Sequence, residues 1–470
     1  MKILTQALLV AAAMTFSGAA IAGPQAALPK DLPAYGADEA MPKLDIAKRT
    51  LSNGLEVWVL PRNGIPRVDM TLAMKDAGFA ADGVGANGFA SVLAGMLSEG
   101  TTKRDSRGIA EAAQALGGGV GAGASNDGIT VYANALASNS DAITALMAEI
   151  ARSPSFPEDE VALAKANALQ ALKVSEAQPN TRATRALLAA VYGDHPYARS
   201  MPTEASLNAV TAASLKSEYA RRFRPDHGLL VITGKVTPEQ GFALASKHFG
   251  SWQNVGTSDV RIASAPAEMP VVKSILQRDG SVQSAILMGY PTIDAASADF
   301  VPLQLASTVL GGGFSSRVNQ NLRENKGYTY GASAMAAPFR YGGRVQAGAQ
   351  VRNEVTGASI KEFFSEFKRL ASEPVPATEL TDTKRYVAGG YLIGNQMQAS
   401  FARALASYWL LGKTPEEFAN YVPDIRAVSA AQIQDMARKY WDPAKMSIII
   451  VGDSAAVKPQ LSEFGAFETK

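Results

Sequence analysis

The chain has 470 residues, 47% apolar and 19% charged, with 45 basic against 43 acidic side chains and no cysteine. That composition excludes a disordered or fibrous chain, and the length suits two to four structural domains. The near balance of charge argues against nucleic-acid binding, which needs a basic surplus, and the lack of cysteine removes thiolate nucleophiles, disulfides and thiolate metal sites.

A basic start at Met1-Lys2, an apolar run from Ala7 to Phe16 and the small-residue sequence Ala20-Ile21-Ala22 read as a cleavable export signal over residues 1–22, cut after Ala22. An uncleaved anchor is the alternative, but the apolar run is too short to span a membrane stably. No later stretch reaches about 18 uninterrupted apolar residues, so no stable membrane insertion is expected. Residues 23–45, with Pro24, Pro29, Pro33 and Pro42, read as an extended tether.

Two alternating runs around Asn53-Gly54 predict a hairpin. A strand at 67–76, a Gly-rich turn at 78–88 and helices at 89–98 and 107–116 follow. Strands near 120–124 and 129–136 come next, then helices at 141–152, 157–176, 181–192 and 211–222, and a strand at 228–234. After a polar stretch at about 251–269 the order recurs loosely. Strands at 271–278 and 281–290 precede a helix-rich stretch at 299–310, a helix at 315–325 and strands at 328–336 and 343–351. Helices near 355–372, 377–394, 400–411 and 429–440, the last with Ser429 as N-cap, lead to a closing strand at 446–452. The fold class is α+β. Two homologous α/β-sandwich domains, each a mixed, largely antiparallel sheet with helices packed on it, are expected at 46–252 and 270–470, joined by a polar linker. The three histidines, His195, His227 and His248, have no acidic residue at helical H-x-x-E spacing and read as loop or capping residues.

The segment from Gly88 to Thr101, with its Met96-Leu97 and Gly100-Thr101, resembles the inverted zinc-motif region of the insulinase-like (pitrilysin) peptidases. Active members carry H-x-x-E-H there. Residues at i, i+3 and i+4 share one helix face, so two imidazoles ligate zinc and the Glu activates water. This chain holds Ser91, Ala94 and Gly95 at those degenerate zinc-motif positions. The family's further Glu ligand falls on a helix matched here by residues 161–174, which contain no acidic residue; Glu160 and Glu176 bracket it. The resemblance therefore implies no metal on this chain.

The stretch from Leu310-Gly311-Gly312-Gly313-Phe314 through Leu322-Arg323-Glu324 to Tyr328-Thr329-Tyr330-Gly331 is very similar to the matching segment of the family's bacterial two-domain-per-chain branch. There the Arg of L-R-E and the Tyr seven residues later reach across a closed clamshell to substrate at a zinc site in another domain. Carried over, these are Arg323 and Tyr330. From the residues themselves, Arg323 lies in the last turn of a helix that Gly327 caps, and Tyr330 lies on the following strand with Tyr328 on the same face. A forked guanidinium and a phenol can bind a peptide carbonyl and stabilise the oxyanion formed from it. Residue types alone leave open a local ion pair for Arg323 and packing for both tyrosines. The glycines at 311–313 are followed by no Gly-Lys-Ser/Thr and so form no phosphate loop; they read as a close backbone approach. Gly117 to Gly123 read as a loop and a narrow strand. In the family that strand pairs with extended peptide at a sheet edge, but its usual Asn is Gly121 here, although Ala122 remains.

The resemblance implies one half of a clamshell. The homologous partner subunit would carry H-x-x-E-H, zinc and the general base, and the substrate would be an unfolded peptide in the periplasm. On this reading the chain is the non-zinc subunit of a heterodimeric metallopeptidase, inactive alone. The alternative is a non-enzymatic scaffold or peptide-binding subunit in which Arg323 and Tyr330 are inert. A serine hydrolase is the weakest reading, since no G-x-S-x-G elbow is present.

Overall fold

The computed structural model describes residues 44–254 and 260–470. The export signal and all but the last two residues of the tether lie outside the described residues, as do linker residues 255–259.

In the first half, β1 (Ala47–Thr50), β2 (Glu56–Pro61), β3 (Arg67–Lys75), β4 (Gly119–Ala124), β5 (Gly128–Leu136) and β6 (Gly228–Gly234) form one sheet in the order β1-β2-β6-β3-β5-β4. In the second, β7 (Lys273–Gln277), β8 (Gln283–Thr292), β9 (Thr329–Phe339), β10 (Gly342–Arg352), β11 (Ser447–Gly452) and β12 (Glu468–Thr469) form another in the order β12-β7-β11-β8-β10-β9. The duplication is visible in the pairing. β2 runs parallel to β6 and β7 to β11, while the strands beyond them toward β4 and β9 pair antiparallel. Each half thus ends on an edge strand, β4 or β9, that pairs on one side only.

The helices of the first half are α1 (Phe89–Met96), α2 (Ser106–Ala115), α3 (Ser140–Arg152), α4 (Glu158–Glu176), α5 (Pro179–Tyr192), α6 (Glu204–Asn208), α7 (Ala212–Arg222) and α8 (Pro238–Phe249). The second half has α9 (Phe300–Gly311), α10 (Arg317–Asn319), α11 (Thr356–Ser372), α12 (Ala377–Gly394), α13 (Gln398–Leu410), α14 (Pro415–Ala427) and α15 (Ala430–Tyr440). The central strands β6 and β11 are buried along their whole length. That fits their unbroken apolar runs, Leu229 to Ile232 and Ile448 to Val451, because such runs need cover on both faces.

The second cover is exchanged between the halves. Helix α5 packs on β8 and β11 of the second sheet, where Leu187, Val191 and Tyr192 meet Ala285, Ile449 and Val451. Helix α13 packs reciprocally on β3 and β6 of the first. Its Gln398 donates through Nε2 to the Asp69 carboxylate at 2.8 Å and lies 3.0 Å from the Arg67 carbonyl.

Three expectations need correction. Helices α8 and α14 were not expected from apolar periodicity. Each opens with Thr-Pro-Glu and a reciprocal cap, Thr237 with Gln240 and Thr414 with Glu417. The linker is not simply polar: Ile262 and Ala265 pack on the cluster around Leu187, and the Ala265 amide donates to the Tyr341 carbonyl at 2.6 Å. The segment expected as one helix over 315–325 is a single turn, α10, continued by a π-helical turn at Gln320–Asn325.

Candidate functional site

The helix expected to carry a zinc motif is α1, and its start is firmly held. Asp82 accepts the Ala90 amide at 3.2 Å and an ion pair from the buried Arg222 at 2.8 Å. Arg222 also donates to the Ala77 carbonyl at 3.1 Å and to Glu218. Burial pushes the Asp82 carboxyl up to about 6, opposed by Arg222. On this fixed helix Ser91 and Gly95 face outward and Ala94 is buried. Open space lies beyond Gly95. None of the three offers an imidazole or carboxylate, so these residues do not fit a zinc ion. Helix α4 does lie beside α1, where the further ligand is expected. Its acidic residues sit in the first turn and at Glu176, which pairs with Arg185 at 3.3 Å. Among the described residues no three His, Asp or Glu side chains gather as a metal site. His195 is a capping residue: its Nδ1 accepts the Tyr197 amide at 3.2 Å and its Nε2 contacts the Ala263 carbonyl at 3.0 Å.

The Arg/Tyr segment is built more elaborately. Gly311, at the end of α9, lies against the Ala334 backbone of β9, where a Cβ would stand 2.0 Å from the Ala334 nitrogen. This is the close approach expected of the glycine run. Arg317 forms a bidentate pair with Glu379 of α12, both contacts 2.8 Å. Asn319 donates to the Phe314 carbonyl at 2.6 Å and accepts the Ala332 amide of β9 at 3.2 Å. Asn321 donates to Glu362 at 3.0 Å and Glu366 at 2.8 Å, both on α11. Three polar side chains therefore lock the short helix and the π turn that continues it to neighbouring elements, and Arg323 projects from that turn. Such turns recur at functional sites. The helix end closes as expected at Gly327, at φ +61, whose amide donates to the Arg323 carbonyl at 3.1 Å.

Arg323 contacts the Glu324 carboxylate at 3.1 Å, and its guanidinium lies 4.6 Å from the centre of the half-exposed Phe314 ring. Tyr330 is 92% exposed. Tyr328 does not share its face: it precedes β9 and packs against the core. The cause is a β-bulge. Thr329 pairs with Val351 and Ala332 with Ala349, so Tyr330 and Gly331 together oppose Gln350. The extra residue turns the Tyr330 side chain outward. Thr329 fixes the bulge, since its hydroxyl accepts the Gly331 amide at 3.1 Å and lies 2.7 Å from the Gln350 carbonyl. Arg317, Asn319, Asn321 and Thr329 were not singled out from sequence. Their signal was their place inside the matched stretch, between the residues assigned roles.

Strand β4 is an edge strand, as expected. Over its Gly121 lies Tyr132 of β5, whose hydroxyl would stand 2.4 Å from a Cβ there. A tyrosine from the neighbouring strand thus occupies the space a side chain at this position would need.

Two family models match the chain: "Insulinase (Peptidase family M16)" over residues 67–203 and "Peptidase M16 inactive domain" over residues 209–387. The chain belongs to the insulinase (M16) peptidase family, as a peptidase-like protein of the inactive type. An "Uncharacterized zinc protease" of Mycobacterium leprae is 27% identical over 362 residues, covering 74% of this chain and 79% of that protein. A "Non-peptidase homolog YmxG" of Helicobacter pylori is 21% identical over 370 residues, covering 78% and 84%. Among solved structures, a peptidase M16 inactive domain from Pseudomonas fluorescens superposes with a TM-score of 0.81 at 24% identity, over 87% of this chain and 98% of that one. A protease from Helicobacter pylori gives 0.82 at 18% identity, over 87% and 99%. These structures share the fold.

Proposed function

We propose that the chain is the zinc-lacking subunit of a periplasmic, two-chain metallopeptidase that degrades unfolded peptides. Its partner is a homologous chain with an intact H-x-x-E-H helix, which supplies zinc and the general base. This chain supplies Arg323 and Tyr330. The observation that carries the reading is Tyr330, held out in solvent on a pinned bulge, in a family member whose own α1 offers no ligand. A phenol that packs on almost nothing contributes little to the fold, so its place on an anchored strand is best explained by a ligand. Arg323 and Tyr330 donate hydrogen bonds to a peptide carbonyl oxygen and hold the charge that develops on it. The Arg323–Glu324 contact joins two partly exposed neighbours, and pairs of that kind are worth about 0–1 kcal/mol. It gives way to a substrate carbonyl at small cost.

The second reading is an inert scaffold subunit. It draws on the same Arg323–Glu324 contact and on the description of the Helicobacter pylori relative as a non-peptidase homologue. Peptide hydrolysis by the purified chain, alone and mixed with its zinc-motif homologue, tests the proposal. The chain alone should be inert and the mixture active as a complex of defined mass. Hydrolysis with bound zinc by this chain alone, or no complex with the homologue, overturns it.

A further inference from the structure

At the opposite end of β9 from Tyr330, β1, the start of β2, the end of β3, the β9–β10 turn and the α13–α14 turn line an open pocket of about 590 Å3. That size suits a small-molecule site. Its wall carries five cations, Lys48, Arg49, Lys75, Arg340 and Lys413, and one carboxylate, Glu56. Two of the cations are compensated from just outside: Lys48 by Glu416 and Lys413 by Glu417, each at 3.0 Å. Among the described residues, Arg49, Lys75 and Arg340 form no ion pair with a carboxylate. Arg49 rests 4.1 Å from the Phe242 ring centre and Lys75 5.5 Å from that of Trp409. The Arg340 side chain donates to the Leu410 carbonyl at 3.3 Å, while its backbone amide donates to Asp127 at 3.2 Å. Glu56 is engaged by the Trp409 indole, whose Nε1 donates to it at 3.3 Å. The wall also contains Thr414 and Pro415, the positive end of the thirteen-residue α14.

Arg49 turns to Phe242 on the other face of β1, but Lys75 and Arg340, neither in an ion pair, line this concave site together with Lys48 and Lys413, in a chain whose net charge is only +2. Like charges gathered around a pocket repel one another, and an anion between them turns that repulsion into attraction. The Arg340 guanidinium presents a fork that suits phosphate and carboxylate oxygens.

We infer that this pocket binds a small polyanion, a ligand carrying two or more phosphate or carboxylate groups, with Lys75 and Arg340 as its charge partners. Such a ligand bridges strands of the first sheet and turns of the second half, so its binding raises the stability of both together.

The test is calorimetric titration of the full chain with inorganic pyrophosphate and, separately, citrate at low ionic strength, alongside tryptophan fluorescence to report on Trp58 and Trp409. The expected result is saturable, submillimolar binding of at least one anion. Preference for pyrophosphate assigns phosphate chemistry and preference for citrate assigns carboxylate chemistry. Lys75→Gln and Arg340→Gln should each weaken binding at least tenfold, Lys75→Arg should retain it, and Glu56→Gln should tighten it. Melting curves identify variants that remain folded. No saturable binding of either anion at millimolar concentration, or affinity unchanged in folded Lys75→Gln and Arg340→Gln, overturns the inference.

Discussion

Tyr330 and Arg323 divide the labour that the proposal gives them, and their surroundings say how each should respond to substitution. Tyr330 is 92% exposed, so Tyr330→Phe should leave the melting temperature nearly unchanged, as surface changes of this kind stay within about 0.5 kcal/mol. In the assembled peptidase the same change should cut turnover at least tenfold, since removing one oxyanion donor costs about 2.7–4 kcal/mol of transition-state stabilisation. Thr329→Val makes a finer prediction. It deletes the hydroxyl that accepts the Gly331 amide and contacts the Gln350 carbonyl, leaving the phenol in place but freeing the bulge. Turnover should fall several-fold while stability drops by about 1 kcal/mol, the usual worth of a hydrogen bond. Paired kinetics and thermal melts of the same samples check both halves of that statement. The Arg323/Tyr330 pair was legible in the sequence because a long matched stretch surrounds it. The bulge was not, because it depends on how Gln350 of the neighbouring strand registers against Tyr330 and Gly331, which no pattern within β9 encodes.

At the level of elements, polar contacts from loops join the halves beside the apolar packing of α5 and α13. Asp127, in the β4–β5 turn, accepts the Tyr197 hydroxyl and, at 3.2 Å, the Arg340 amide from the β9–β10 turn. Next to it the Tyr341 hydroxyl donates to Asp76. Burial pushes the Asp127 carboxyl up to about 6, against the pull of its hydrogen bonds. The folded chain therefore keeps a proton that the unfolded chain releases above its ordinary value of 3.8. The resulting stability is full below that value and is lost as pH rises through about 6. Lowering the pH from 7 to about 5 should add stability through Asp127, so the difference in melting temperature between wild type and Asp127→Asn should change over that interval. Wild-type and Asp127→Asn melting temperatures that run parallel over that interval would contradict the assignment. Periodicity in the sequence located most helices, since α3, α11 and α15 bury one clear stripe each. It missed α8 and α14, whose start signals are capping residues and not apolar spacing.

For the whole molecule, the exchange of α5 and α13 between the two sheets makes each half incomplete without the other. The wholly buried β6 and β11 need those helices as cover, so unfolding should be one cooperative event. A single calorimetric transition is expected, and Leu187→Ala, at a fully buried position of the shared cluster, should lower it as a unit by about 2–5 kcal/mol. Two resolved transitions, with only one shifted by Leu187→Ala, would show that the halves fold separately. The duplication itself was legible as a repeated order of strands and helices. The exchange was not, because an amphipathic helix does not record which sheet it will cover. Cooperative halves would hold the Arg323 and Tyr330 strand in a fixed position within the chain, as the proposed sharing of a site with a partner's zinc helix requires. The most direct measurement is therefore peptide turnover by the complex of this chain with its zinc-motif homologue, comparing wild type with Arg323→Ala and Tyr330→Phe at equal complex mass. The account predicts at least a tenfold loss for each substitution with the complex intact; turnover indifferent to both would make this chain a scaffold and contradict it.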